Sequence, residues 1–134
     1  MSAPYTKTPS RPGPRLDCQV KVSFIREQSQ LPDGPYAYSY TITIRNVGDQ
    51  AGQVIARQWL ITEADGRTQE VRGLAVVGHQ PLLQPGEQFE YNSWVQVETP
   101  VASMRGTYFC MSDDAHPFEA DIPAFDLVYP GMLH

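Results

Sequence analysis

Gly73-Leu74-Ala75-Val76-Val77-Gly78 spaces two glycines as the first and last of a GxGxxG phosphate loop, with His79 directly after. In such loops the glycines let backbone N–H groups close on a pyrophosphate, and the N-terminus of a following helix supplies partial positive charge. No helix is expected here, because Val76 and Val77 are β-branched and Pro81 follows within a few residues. Ala75 stands where the second glycine would be and adds a Cβ where a phosphate must approach. The expectation is a plain connection between strands. A looser anion nest of N–H groups over Gly73, Ala75, Gly78 and His79 is the alternative.

Asp113-Asp114 with His116 is an acidic turn that could hold a hard cation through its carboxylates, although adjacent acids at a turn are commonly solvated turn formers. His79, His116, His134, Cys18 and Cys110 show no metal-ligand spacing. No cofactor is expected. Hydrolysis requires a nucleophile with its base and orienting group, or two carboxylates in divergent environments. Neither set can be assembled, and Asp121 and Asp126 alternate with apolar residues in a way that turns them to water. The expectation is a protein with no catalytic residues. Trp94 is the remaining candidate. In Gln88 to Val97 the alternation sends Phe89, Tyr91, Ser93, Val95 and Val97 inward, so Trp94 stands among amides on the polar face, as interface anchors do. A loop or the N-terminal segment covering it is the bland alternative.

The elements that carry these residues read as strands. Cys18, Val20, Val22 and Phe24 alternate with polar residues, and Tyr36, Tyr38, Tyr40, Ile42 and Ile44 alternate with Ala37, Ser39, Thr41 and Thr43. The tyrosines are expected in the core with their hydroxyls at its rim. Asn46 to Asp49 breaks the run. Val54 to Thr62 follows, with Trp59-Leu60-Ile61 apolar on both faces. Ala64-Asp65-Gly66-Arg67 predicts a hairpin into Thr68 to Arg72, and Gln84-Pro85-Gly86-Glu87 a turn into the Trp94 strand. Met104 to Met111, Phe118 to Ile122 and Phe125 to Val128 complete the set. No stretch has helical spacing with caps, and twelve prolines punctuate the chain. This predicts an all-β fold, an antiparallel β-sandwich of about seven or eight strands.

A chain of 134 residues with 41% hydrophobic and 19% charged residues supports one domain. Residues 1–15 carry Pro4, Pro9, Pro12 and Pro14 with Lys7, Arg11 and Arg15, a composition that predicts a disordered basic arm. The domain is expected over 16–129, with a tail at 130–134. The net charge of −5 therefore rests on an acidic body, which argues against nucleic acid as the main partner. No apolar run approaches the roughly 18 residues of a membrane span, and no signal peptide is evident. A soluble, cytoplasmic protein without a membrane partner is expected. Cys18 and Cys110 are read as reduced core residues.

Several ordered segments resemble the ApaG family: Tyr36 to Gly48, Arg57 to Thr62, Glu70 to Pro81, Leu83 to Phe89, Tyr91-Asn92-Ser93, Thr99-Pro100, Met104 to Tyr108 and Ile122 to Leu127. They span nearly everything after the arm. Two places depart from the family pattern: Ala75 replaces the second glycine of its GxGxxG loop, and Ala102 stands where a glycine often occurs. The resemblance implies an immunoglobulin- or fibronectin type III-like sandwich. It also implies a family of small bacterial proteins associated with cobalt resistance and magnesium efflux, whose domain recurs in larger eukaryotic chains as a protein-binding unit. The expected function is a non-enzymatic protein-interaction module with an unidentified protein partner, and a weak homodimer through unpaired sheet edges is conceivable. The alternative is a small-ligand binder for a divalent cation or a phosphate-rich nucleotide.

Overall fold

The computed structural model describes residues 13–132, so most of the expected arm and the end of the expected tail lie outside the described residues. Its strands are β1 (Leu16–Ile25), β2 (Tyr36–Asn46), β3 (Gly52–Glu63), β4 (Thr68–Leu74), β5 (Leu82–Leu83), β6 (Gln88–Val97), β7 (Val101–Ser112) and β8 (Pro117–Val128). The described residues add only two short 3-10 turns, Arg26–Gln28 and Pro130–Met132. All strand pairs are antiparallel. One sheet has the order β1-β2-β6, and the other runs β4-β3-β7-β8 with β5 on the end of β3.

The period-two pattern places the core between the sheets. Tyr36, Tyr38, Tyr40, Ile42 and Ile44 are all buried, and they meet Trp59, Ile61, Met104, Tyr108, Ile122 and Leu127 of the opposite sheet. Aromatic edges interlock across the gap, with Tyr40 5.5 Å from Trp59 and 6.0 Å from Phe125 between ring centroids. Such pairs add about 0.5–1.5 kcal/mol each beyond burial. One expectation about the tyrosines changes. Tyr38 is buried to its hydroxyl, which has no hydrogen-bond partner among the described residues, whereas Tyr36 Oη donates to Pro32 O at 2.7 Å.

The predicted turns form with the chemistry their residues supply. Gly66 at φ +89° closes the β3–β4 hairpin, and Gly86 at φ +87° follows Pro85 in the turn before β6. The two segments expected at Phe118 to Ile122 and Phe125 to Val128 are one strand. Gly106 faces Ile122 and Met104 faces Phe125, so Pro123 and Ala124 together oppose Arg105 in a bulge. A bulge tolerates proline because the extra residue leaves the ladder.

Asn46 ties the end of β2 to the loops around it. It is fully buried, its Nδ2 donates to Gln50 O at 2.8 Å and Leu83 O at 2.9 Å, and its Oδ1 accepts from Gly48 N at 2.9 Å. Gly13 to Arg15, the last residues of the expected arm, lie along the same turn: Gly13 N donates to Asp49 Oδ1 at 2.6 Å and Val47 N to Arg15 O at 2.7 Å. Cys110 is buried and Cys18 half-buried, both as free thiols. Burial pushes each thiol up to about 12. No helix among the described residues is long and apolar enough to cross a membrane.

Candidate functional site

The most structured polar site begins with an extra residue in β3. Val54 faces Cys110 on β7 and Ala56 faces Phe109, which leaves Ile55 unpaired. Because side chains alternate, one inserted residue turns everything after it to the opposite face. Trp59 and Ile61 are therefore buried between the sheets, and Arg57 points the same way, while Gln58 and Leu60 line the outer face. Regular alternation from Val54 would have put Arg57 outside.

The freed carbonyl of Ile55 anchors the glycine loop. It accepts hydrogen bonds from Ala75 N at 2.8 Å and Gln80 Nε2 at 3.0 Å. Val76 and His79 exchange N–H···O bonds at 2.7 and 2.9 Å, closing a two-residue turn over Val77 at φ +49° and Gly78 at φ +80°. Positive φ suits Gly78 and strains the β-branched Val77. Ala75 also has positive φ, at +68°. The amides of Ala75, Val76 and His79 are thereby satisfied by backbone carbonyls, and Val77 and Gly78 are left without a backbone acceptor among the described residues.

Arg57 explains the first glycine of the loop. Its Nη1 donates to Leu74 O at 3.0 Å and Ala75 O at 2.8 Å, and the guanidinium lies across Gly73. A Cβ on Gly73 would stand 2.7 Å from Nη1. The side of the loop nearest this cation thus presents carbonyls, not a ring of amides. His79 packs instead against Phe89 of β6 in a tilted arrangement, at 5.5 Å between rings.

Beyond Arg57 the sandwich stays open. β1 and β8 lie against each other on the far side, whereas β6 and β4 are edge strands on this one. Between them is a cleft of about 180 Å³ lined by Arg57, Tyr40 and Ser93 at its polar part and by Trp59, Val71 and Val95 at its apolar part. Burial raises the Tyr40 hydroxyl above its ordinary range, while Ser93 and the Arg57 charge act the other way. Deeper in, the Tyr91 and Tyr108 hydroxyls share a hydrogen bond at 2.5 Å, and burial raises both.

Trp94 forms the outer lip of this cleft and is 63% exposed. On the outer sheet face it stands opposite Ser39, which faces Ser23 on β1. A groove of about 500 Å³ runs beside it past Ile25, Gln28, Ser39 and Asn92. No described loop covers the indole.

The acidic turn lies at another end of the fold. Ser112 N donates to His116 O at 2.8 Å, with Ala115 at φ +68°, so residues 113–115 form a hairpin loop between β7 and β8. Gln50 Nε2 donates to Asp113 Oδ1 at 2.5 Å, whereas Asp114 accepts from the Ser112 hydroxyl and pairs with His116 Nδ1 at 3.2 Å. These partners, Ser112 first and then His116, hold the Asp114 carboxyl down at about 2. Among the described residues no three His, Cys, Asp or Glu side chains converge to hold a metal ion, so Asp113, Asp114 and His116 are not brought together as a ligand set.

The sequence candidates thus occupy separate places, and Arg57, the charged group of the open cleft, was not among them. Its signal was an Arg57-Gln58 pair interrupting the apolar run from Val54 to Ile61. The bulge that turns it inward left no mark of its own.

Comparison with known proteins agrees with this architecture. The model of the ApaG domain matches residues 26–112. A Protein ApaG of Ralstonia nicotianae is 55% identical over 119 residues, covering 89% of this chain and 96% of that protein. One from Bordetella pertussis is 47% identical over 126 residues, covering 92% and 96%. The crystal structure of an ApaA protein from Bordetella pertussis superposes with a TM-score of 0.85 at 45% identity, over 89% of this chain and 97% of that one. The superposed fold, the sequence identity and the length covered agree, and this chain belongs to the ApaG domain family.

Proposed function

We propose that this chain is a non-enzymatic protein-interaction module that docks a protein partner on β6, with Trp94 as the anchor. The observation that carries the reading is Trp94 itself, 63% exposed at the lip of an open cleft and beside a groove. Tryptophan is enriched among interface hot spots because it removes a large area from water at low entropic cost. Its strand is an edge strand, which offers backbone N–H and C=O groups to an added segment. An influence on cobalt or magnesium levels, as the family resemblance implies, would then act through that partner.

The alternative, a site for a divalent cation or a phosphate-rich nucleotide, draws less support. The amides of Ala75, Val76 and His79 already have acceptors, and the carboxylates of Asp113 and Asp114 have separate donors. Affinity capture from native cells with wild type and Trp94→Ala tests the docking reading. A stoichiometric protein held by wild type and lost from the variant supports it. No such protein at native concentration overturns it.

A further inference from the structure

Arg57 is half-buried, yet none of the ion pairs among the described residues involves it. A guanidinium withdrawn from water needs acceptors for its donors. Nη1 has two, the carbonyls of Leu74 and Ala75. Nε and Nη2 have none among the described residues, and neither is sealed from solvent. With Nη1 engaged, Nε–H and Nη2–H remain as the parallel pair on one edge of the group. That fork matches the two oxygens of a carboxylate.

The walls decide what the carboxylate is attached to. The cleft continues from Arg57 over Trp59, Val71 and Val95 to Trp94, so the anion must carry an apolar body on one side. Its volume of about 180 Å³ is below the roughly 300 Å³ at which cofactor and drug-sized sites begin, and suits one amino-acid residue. Tyr40 and Ser93 supply hydroxyls beside the guanidinium, where a terminal residue also presents its amide. The mouth opens at the unpaired edge of β6, along which the preceding residues of an extended chain would run.

We propose that the Arg57 cleft receives the C-terminal residue of a protein partner, its free carboxylate on the Nε–Nη2 edge and an aliphatic side chain against Trp59, Val71 and Val95. This names the partner segment for the docking reading above and rests on it. Gly73 is part of the device, since any side chain there displaces the guanidinium.

The test titrates the isotopically labelled full chain with a short acetylated peptide ending in leucine, as the free acid and as the C-terminal amide. The acid should shift the Arg57 Nε–H and Trp94 indole signals and the amides of Tyr40 and Ser93. The amide form should bind about ten- to a hundredfold more weakly, the worth of a charge-assisted pair. Arg57→Lys, which keeps the charge without the fork, should lose the same factor. Acid and amide binding alike, or neither causing shifts up to millimolar peptide, overturns the proposal without relying on any variant. Two results separate this proposal from the docking reading. A Trp94-dependent protein that still binds after its C-terminus is extended overturns the proposal alone. Acid-selective peptide binding with no captured protein supports the cleft and removes the docking reading.

Discussion

Replacing Asn46 by Asp changes one NH2 group into an oxygen at the most enclosed polar position of the fold. The side chain is fully buried, and its Nδ2 meets the carbonyls of Gln50 at 2.8 Å and Leu83 at 2.9 Å. Its Oδ1 accepts from Gly48 N at 2.9 Å and from Arg15 N at 3.4 Å. Asn46→Ala removes all of these bonds from a fully buried position, which costs about 3 kcal/mol. Asn46→Asp keeps the accepted bonds but aims a carboxylate oxygen at two carbonyl oxygens, and an uncompensated buried charge costs about 3–5 kcal/mol. The aspartate should therefore be the worse substitution at pH 8, although it is nearly isosteric. Burial disfavours the ionised form, so the folded variant binds its proton more tightly than the unfolded chain does. Its deficit should grow as pH rises through and above the carboxylate range, and shrink at about pH 5 and below, where protonation restores a donor. Urea denaturation followed by tryptophan fluorescence at both pH values measures this. In thermal melts each kcal/mol corresponds to about 4 °C for a domain of this size. An Asn46→Asp variant within about 1 kcal/mol of wild type, or milder than Asn46→Ala at pH 8, would refute the assignment of Nδ2 to the two carbonyls.

Three further outcomes are expected. Tyr38→Phe removes a buried hydroxyl without a partner and should be neutral or raise stability by up to about 1 kcal/mol, whereas Tyr108→Phe breaks the bond to Tyr91 and should lower it by about 1–2 kcal/mol; chemical denaturation compares the two, and a Tyr38→Phe loss above that of Tyr108→Phe contradicts the packing described. Cys110, with its thiol pushed up to about 12, should react with an aromatic disulfide reagent only as fast as the protein opens; an immediate native-state reaction of Cys110 counts against its burial. The Asp114 carboxyl should titrate at about 2 by NMR, below its ordinary 3.8, and move up in Ser112→Ala. Its contribution to stability is present above the ordinary carboxylate range and is lost as pH falls from there through about 2.

The sequence exposes the fold where the physical rules are local. Tyr36 to Ile44 announces its inward face by alternation, Asp65-Gly66 and Pro85-Gly86 announce turns, and all of these appear in the structure. What escaped is set by partners distant in the chain. The extra residue at Ile55 exists only relative to β7, so no feature of Val54-Ile55-Ala56 shows that Arg57 faces inward. Pro123-Ala124 looked like a gap between strands because proline cannot join a ladder, and only Arg105 opposite reveals a bulge. Leu82–Leu83 is too short to show a period. The glycine loop shares only its spacing with a phosphate cradle. The demand for glycine at 73 comes from a guanidinium sixteen positions earlier in the chain.

The extra residue at Ile55 also separates two tasks within β3, filling the core and mooring the glycine loop. Deleting it would close the ladder into perfect register with β7 and improve the backbone pairing locally. Arg57, Trp59 and Ile61 would keep their partners on β7 and their inward face, but the carbonyl that accepts from Ala75 N and Gln80 Nε2 would be gone. A single-codon loss there would spare the core and release the glycine loop. The residue count of this segment thus answers to the loop it moors and not to the two faces of the strand.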